Sequence, residues 1–126
     1  MGRWNVSESS GVITLTLEGT LSKDDMQAFV VAHNKTIEGM QGRDYKVFCD
    51  LRRLAPLNAD CAALMESAKS FSSSQPNFRG SAVWVESSIV AMQHKRTSAS
   101  GGVLETELIS EDEGMLRAHL AKVYRK

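Results

Sequence analysis

The chain has 126 residues and carries 15 Lys and Arg against 15 Asp and Glu, a net charge of zero with His neutral. That length is expected to make a single domain, residues 1–126, and the charge balance argues against nucleic-acid binding, which needs basic patches on phosphate. No apolar run reaches the roughly 18 residues of a membrane span, and the opening Met-Gly-Arg-Trp-Asn lacks the apolar stretch of a secretory signal; the expected location is the cytoplasm.

Trp4 to Glu8 reads as a short first strand and Ser9-Ser10-Gly11 as a turn. Val12 to Glu18 alternates strictly, with Ile13, Leu15 and Leu17 on one face, so the two strands form an N-terminal hairpin. Gly19-Thr20 ends the second strand. Ser22 is the expected N-cap of a helix, with Asp24 and Asp25 in its first turn, at the positive end of the dipole. Met26, Phe29, Val30, His33 and Ile37 form its apolar stripe, and Gly39 and Gly42 mark its end. Lys46 to Leu51 is the central strand, with Val47, Cys49 and Leu51 facing one way and Phe48 and Asp50 the other.

Asn58 is the expected cap of the next helix, whose buried stripe is Cys61, Leu64, Met65, Ala68 and Phe71. Ser72 to Asn77 is a loop. Gly80 to Glu86 is a strand, with Ala82 and Trp84 on one face and Ser81, Val83 and Val85 on the other. A short helix runs from about Ser88 to Arg96 and is broken by Thr97-Ser-Ala-Ser-Gly-Gly102. Val103 to Ile109 is the last strand. Ser110 is the expected cap of a final helix, with Met115, Leu116, His119, Leu120 and Val123 inward and Lys122, Arg125 and Lys126 at its negative end.

This alternation is an α/β pattern with right-handed crossovers between parallel strands. If each strand lies beside its predecessor, that handedness places every helix on one side. The other sheet face is then expected to be bare, carrying Trp4, Thr14, Thr16, Phe48, Asp50, Trp84 and Glu86. Three bulky aromatics there would be unusual for plain solvent exposure.

Two stretches carry a resemblance: Gly11-Val-Ile-Thr-Leu-Thr-Leu-Glu-Gly-Thr-Leu-Ser22 and Val47-Phe-Cys-Asp-Leu-Arg52. With the order of elements over residues 4–122, they resemble the SpoIIAA-like family, relatives of the STAS domains of bacterial anti-sigma-factor antagonists and, more distantly, of the CRAL-TRIO lipid carriers. The resemblance implies a mostly parallel five-stranded sheet with an N-terminal β-hairpin and four helices packed mainly on one face. It also implies a bacterial regulatory module. Antagonists with a phosphorylation switch carry a serine at the start of the helix after the central strand. Here that place reads Leu57-Asn58-Ala59-Asp60-Cys61, with no hydroxyl to phosphorylate. Asp60 is then either a constitutive negative charge or ordinary first-turn matching to the helix dipole.

No catalytic constellation emerges, and no enzyme activity is expected. His33, His94 and His119 fall on three helices without a Cys or second His at a helical step, which leaves no metal site. His33 and His119 read as core histidines and His94 as a solvated helix end. No serine sits on a Gly-x-Ser-x-Gly turn, and Gly101-Gly102 lacks phosphate-loop spacing, so no cofactor is implied. Asp50 and Glu86 read as surface or loop-anchoring carboxylates. Cys49 and Cys61 read as buried thiols.

Three readings of function remain. A non-enzymatic regulatory module would dock a protein partner through Leu54, Pro56, Asn58 and Asp60. A small-ligand or lipid-binding module would hold an apolar molecule between helices and sheet or on the bare face, with Met26, Met40, Met65, Met92 and Met115 as an adaptable lining. A homodimer would use the aromatic face of Trp4, Phe48 and Trp84.

Overall fold

A strand at Arg3–Ser9 (β1) turns back through Ser10 and Gly11, both at positive φ (52° and 81°), into Val12–Glu18 (β2). Two central residues of positive φ match the twist of a tight hairpin. The hairpin sets the register: Trp4 lies opposite Leu17, Val6 opposite Leu15 and Glu8 opposite Ile13. The structure, a computed structural model, describes residues 2–123 apart from the side chains of Leu104 and Val123. The inward side chain expected of Val123 and the cationic positions Arg125 and Lys126 lie outside what is described.

The chain continues through Lys23–Glu38 (α1), Tyr45–Asp50 (β3), Ala59–Ser73 (α2), Phe78–Trp84 (β4), Ser88–Gly101 (α3), Glu107–Ser110 (β5) and Glu113–Val123 (α4). The sheet runs β1-β2-β3-β4-β5, antiparallel in the hairpin and parallel in the three other pairings. Ser22 caps α1 in a reciprocal box with Asp25, each side chain accepting from the other's backbone N–H at 3.0 Å. Asn58 caps α2, its Oδ1 accepting from Cys61 N–H at 2.8 Å. Ser87 Oγ caps α3 through Val90 N–H. At α4 the expected cap is displaced by two residues: Asp112 Oδ1 accepts from Met115 N–H, while Ser110 Oγ accepts from Asp112 N–H in the preceding turn.

The main core lies between the sheet and α1, α2 and α3. Ile13, Leu15 and Leu17 of β2 and Val47 and Cys49 of β3 pack there with Met26 and Phe29 of α1, Cys61 and Met65 of α2 and Val90 of α3. Cys49 and Cys61 are free and buried.

Four expectations are corrected, two at α4 and two around the end of α3. Helix α4 packs on the opposite sheet face, where Leu116 and Leu120 bury Phe48 and Ala82. The reason is topological: crossover handedness binds only a helix between two parallel strands, and α4 follows the last strand of the sheet. Met115, expected inward, is 55% exposed. It lies off the narrow stripe of Leu116 and Leu120. Helix α3 does not stop at Arg96 but continues through Thr97 and Ser98 to Gly101, capped by Gly102. The low helix propensity of that run is overridden because Thr97 and Ser98 are buried against α2. Gly101 is needed there: a Cβ at this position would come within 2.6 Å of Lys69 Cβ. The last strand is correspondingly shorter than Val103–Ile109, because Leu104–Thr106 forms a 3-10 turn.

Candidate functional site

The first candidate surface is the loop between β3 and α2. Asp50 ends its strand by accepting from Arg52 Nε at 3.0 Å and Arg52 Nη2 at 2.9 Å. These bonds hold its carboxyl below the usual carboxylate range, so Asp50 anchors the loop. Glu86, the other carboxylate near a strand end, is exposed, as a surface role expects. Gly19 holds the next stretch, its N–H donating to Arg53 O and its carbonyl accepting from Ala55 N–H. Gln93 of α3 then brackets Leu57: its Oε1 accepts from Leu57 N–H at 2.7 Å and its Nε2 donates to Leu57 O at 2.6 Å.

Within that fixed loop, Leu54 is only 6% exposed and belongs to the core, so it offers no docking surface. Pro56, Asn58 and Asp60 are exposed. Ile89 and Met92, beside Gln93 on α3, are exposed large apolar residues, so Met92 does not serve as the pocket lining expected of it. Their signal was weak, since one helix turn of apolar residues looks the same inward or outward. Asn58→Ala is expected to lower stability by about 1 kcal/mol through loss of the cap, while Asn58→Asp keeps it. Urea melts check this, and equal midpoints for Asn58→Ala and the parent would contradict it.

The aromatic face is not one face. Trp4 shares the α1 side, its ring edge-on to Phe29 with centroids 6.1 Å apart. The hairpin register explains this, because residues directly opposite across a ladder share a face and Trp4 faces Leu17. Phe48 and Trp84 lie together on the other side, 6.2 Å apart. Arg52 covers Trp84 at 3.6 Å and Arg117 of α4 covers Phe48 at 4.3 Å. This ladder of rings and guanidinium groups leaves Phe48 buried.

The third place lies inside. Lys69 of α2, expected at no site, points into the seam with α3. Its ammonium donates to Ser98 Oγ at 2.6 Å, Thr97 Oγ1 at 2.9 Å and His94 O at 3.1 Å. Glu107 of β5 lies 3.8 Å away, with the Lys69 and Glu107 side chains only 10% and 4% exposed. Ser98 Oγ donates to one Glu107 oxygen and Ser81 Oγ to the other. Burial pushes Lys69 below the usual lysine range, and the charge of Glu107 partly restores it.

His94 is fully buried rather than a solvated helix end, because α3 extends past it. Burial, and secondarily the Lys69 charge, push its imidazole down to about 3. Nδ1 faces Lys69 Nζ at 3.4 Å. An ammonium only donates, so Nδ1 accepts and Nε2 carries the proton of the neutral ring. That Nε2 has no partner. His33, as expected, is buried; its Nδ1 donates to Asn34 Oδ1 at 2.8 Å and burial lowers its pKa. His119 is half-buried beside Thr106 O. A cavity of about 30 Å³ lies among His33, Lys69, His94 and Glu107 and the Leu15, Val47 and Val83 side chains of the sheet. Among the described residues, no group of three or more His, Cys, Asp or Glu side chains is placed to hold a metal ion. No helix among them is long and apolar enough to cross a membrane.

No family model and no curated protein matches the chain. Among solved structures it is similar to an uncharacterized DUF3478-family protein from Shewanella loihica PV-4, described as having a SpoIIAA-like fold. The two share 13% identity, with a TM-score of 0.66, over 93% of this chain and 91% of that one. The mostly parallel five-stranded sheet, its leading hairpin and its four helices are therefore those of a SpoIIAA-like fold.

Proposed function

We propose that this chain is a non-enzymatic, cytoplasmic regulatory module that docks a protein partner through the start of α2 and the adjoining face of α3. One observation carries the reading: exposed Pro56, Asn58 and Asp60 stand beside exposed Ile89 and Met92, and Gln93 ties the two elements together at Leu57. A surface held this way needs little ordering on binding, and its mixture of apolar and acidic groups suits a protein partner. Ala59 and Asn58 offer no hydroxyl, so docking here is independent of phosphorylation at the start of this helix. Asp60 supplies a fixed charge in the same place. The fold shared with the Shewanella protein is compatible with this role.

Capture from the source lysate, with mass spectrometry of the bound proteins, tests it. Asp60→Arg combined with Ile89→Glu is expected to lose a partner that the parent and the control Ser7→Arg both retain. All the substituted positions are exposed, where stability changes stay within about 0.5 kcal/mol. Equal capture by all three proteins would reject the surface. The small-ligand reading is weakened because the interior cavity of about 30 Å³ holds about one water molecule. The aromatic-face homodimer reading is weakened because Trp4 and Phe48 lie on opposite sheet faces and α4 covers Phe48.

A further inference from the structure

Strand β1 ends the sheet on one side, and its outer edge is open. The hairpin register tells which backbone groups face out. Gly11 O accepts from Lys46 N–H on β3, so the odd-numbered residues of β2 bond toward β3 and the even-numbered ones toward β1. Their partners on β1 are Ser9, Ser7, Asn5 and Arg3. The N–H and carbonyl groups of Trp4, Val6 and Glu8 therefore point away from the sheet, and among the described residues no loop, turn or cap backbone bonds to them. A free edge strand is a template for another strand, and proteins usually blunt it with proline, a bulge, an inward charge or a short run. Strand β1 has seven residues, no proline and an unbroken register from Arg3 to Ser9. The opposite edge strand, β5, has only four residues.

What fits this edge is the same edge. Two copies of β1 laid antiparallel about a two-fold axis at Val6 pair along their full length, with Val6 opposite Val6, Trp4 opposite Glu8, Asn5 opposite Ser7 and Arg3 opposite Ser9. Trp4, Val6 and Glu8 then pair only among themselves, so every outward N–H meets an outward carbonyl. The antiparallel sense brings Arg3 of each copy to the Glu8 end of the other, whereas a parallel sense would set like charges side by side. Trp4 and Val6, half-buried against the core on the α1 side, gain further cover along the seam. We infer that β1 is the interface of a homodimer in which two five-stranded sheets join into one continuous sheet. Phe48, Trp84 and the docking surface of α2 and α3 take no part, so this test and lysate capture can each fail without the other.

Sedimentation equilibrium of the full chain, from micromolar to millimolar concentration, is expected to show a monomer–dimer equilibrium. Amide exchange of Trp4, Val6 and Glu8 is expected to slow as the dimer fills, with Asn5, Ser7 and Ser9 protected already in the monomer. Val6→Pro removes an outward donor and leaves the bonds to β2 in place; it is expected to weaken dimerisation about hundredfold. Val6→Cys is expected to cross-link under mild oxidation, because directly opposed, hydrogen-bonded residues stand about 5.5 Å apart at Cα, within disulfide reach. Ser7→Cys, opposite Asn5 rather than its own copy, is not. Cys49 and Cys61 are buried and do not compete. A monomer throughout the range, a dimer whose Trp4, Val6 and Glu8 amides exchange as in the monomer, or equal cross-linking by the two cysteine variants would each overturn the assignment. If Val6→Pro fails to fold, the parent's amide pattern and the cysteine variants decide the matter.

Discussion

Replacing Lys69 with alanine is expected to destabilise the fold by about 3–5 kcal/mol, because it strands the Glu107 carboxylate in the interior without a cation. The two side chains are 10% and 4% exposed and stand 3.8 Å apart, so water cannot compensate. The expected result differs from simple loss of packing. The pair Lys69→Met with Glu107→Gln removes both charges while keeping the length of both side chains and the acceptor at position 107, and should recover much of the loss. Urea unfolding of the parent, Lys69→Met, Glu107→Gln and their double variant forms a complete cycle, with Lys69→Ala measured beside it. A Lys69→Ala loss below about 1 kcal/mol, or a double variant no better than the singles, would show that the charges are not a unit.

Acidification supplies the second large effect. His94 is held neutral down to about pH 3 in the folded chain against an ordinary value of 6.5. Below pH 6.5 the unfolded chain therefore takes up a proton that the folded chain cannot. Stability contributed by neutral His94 is complete above pH 6.5, falls as the pH drops, and reaches its floor near pH 3. Well inside that window the slope is about 1.4 kcal/mol per pH unit per proton. His33, also lowered by burial, acts in the same direction. Asp50, held low by Arg52, adds its own loss below the ordinary carboxylate value of 3.8. Urea midpoints from pH 7 to 4 should fall steadily in the parent. In His94→Leu the slope should drop by about one proton's worth, and a variant as steep as the parent would contradict the assignment.

The sheet was legible in the sequence because strict alternation at Val12–Glu18 and at Val47–Leu51 leaves only one register of faces. The helix starts of α1 and α2 were legible because Ser22 and Asn58 are short polar side chains ahead of apolar stripes, and both cap as expected. The face of Trp4 was misjudged because it depends on hairpin register, which the turn residues Ser10 and Gly11 fix without stating it in the pattern of the strand. The side taken by α4 was not readable, since no crossover constrains a helix after the last strand.

The interior network was hidden for a different reason. Lys69 and Ser72 sit at helical spacing from Cys61 and Met65, which is the available signal, yet a polar residue on an apolar stripe ordinarily marks its edge, as Leu64 and Phe71 on the neighbouring positions also suggest. Thr97, Ser98 and Gly101 looked like a helix breaker because their local propensity is poor. Only the partner across the seam shows that they are chosen for a buried ammonium and a close helix crossing. Of the docking residues, Pro56, Asn58 and Asp60 were found from the helix start, whereas Ile89 and Met92 required knowing which way α3 faces.

Hydrogen–deuterium exchange of the chain, alone and with the protein it captures, addresses the docking claim most directly. The account predicts slowed exchange confined to residues 54–62 and 88–93, with α4 and the edge strand β1 unchanged. Slowed exchange centred on α4 and β5, with residues 54–62 exchanging as in the free chain, would contradict it.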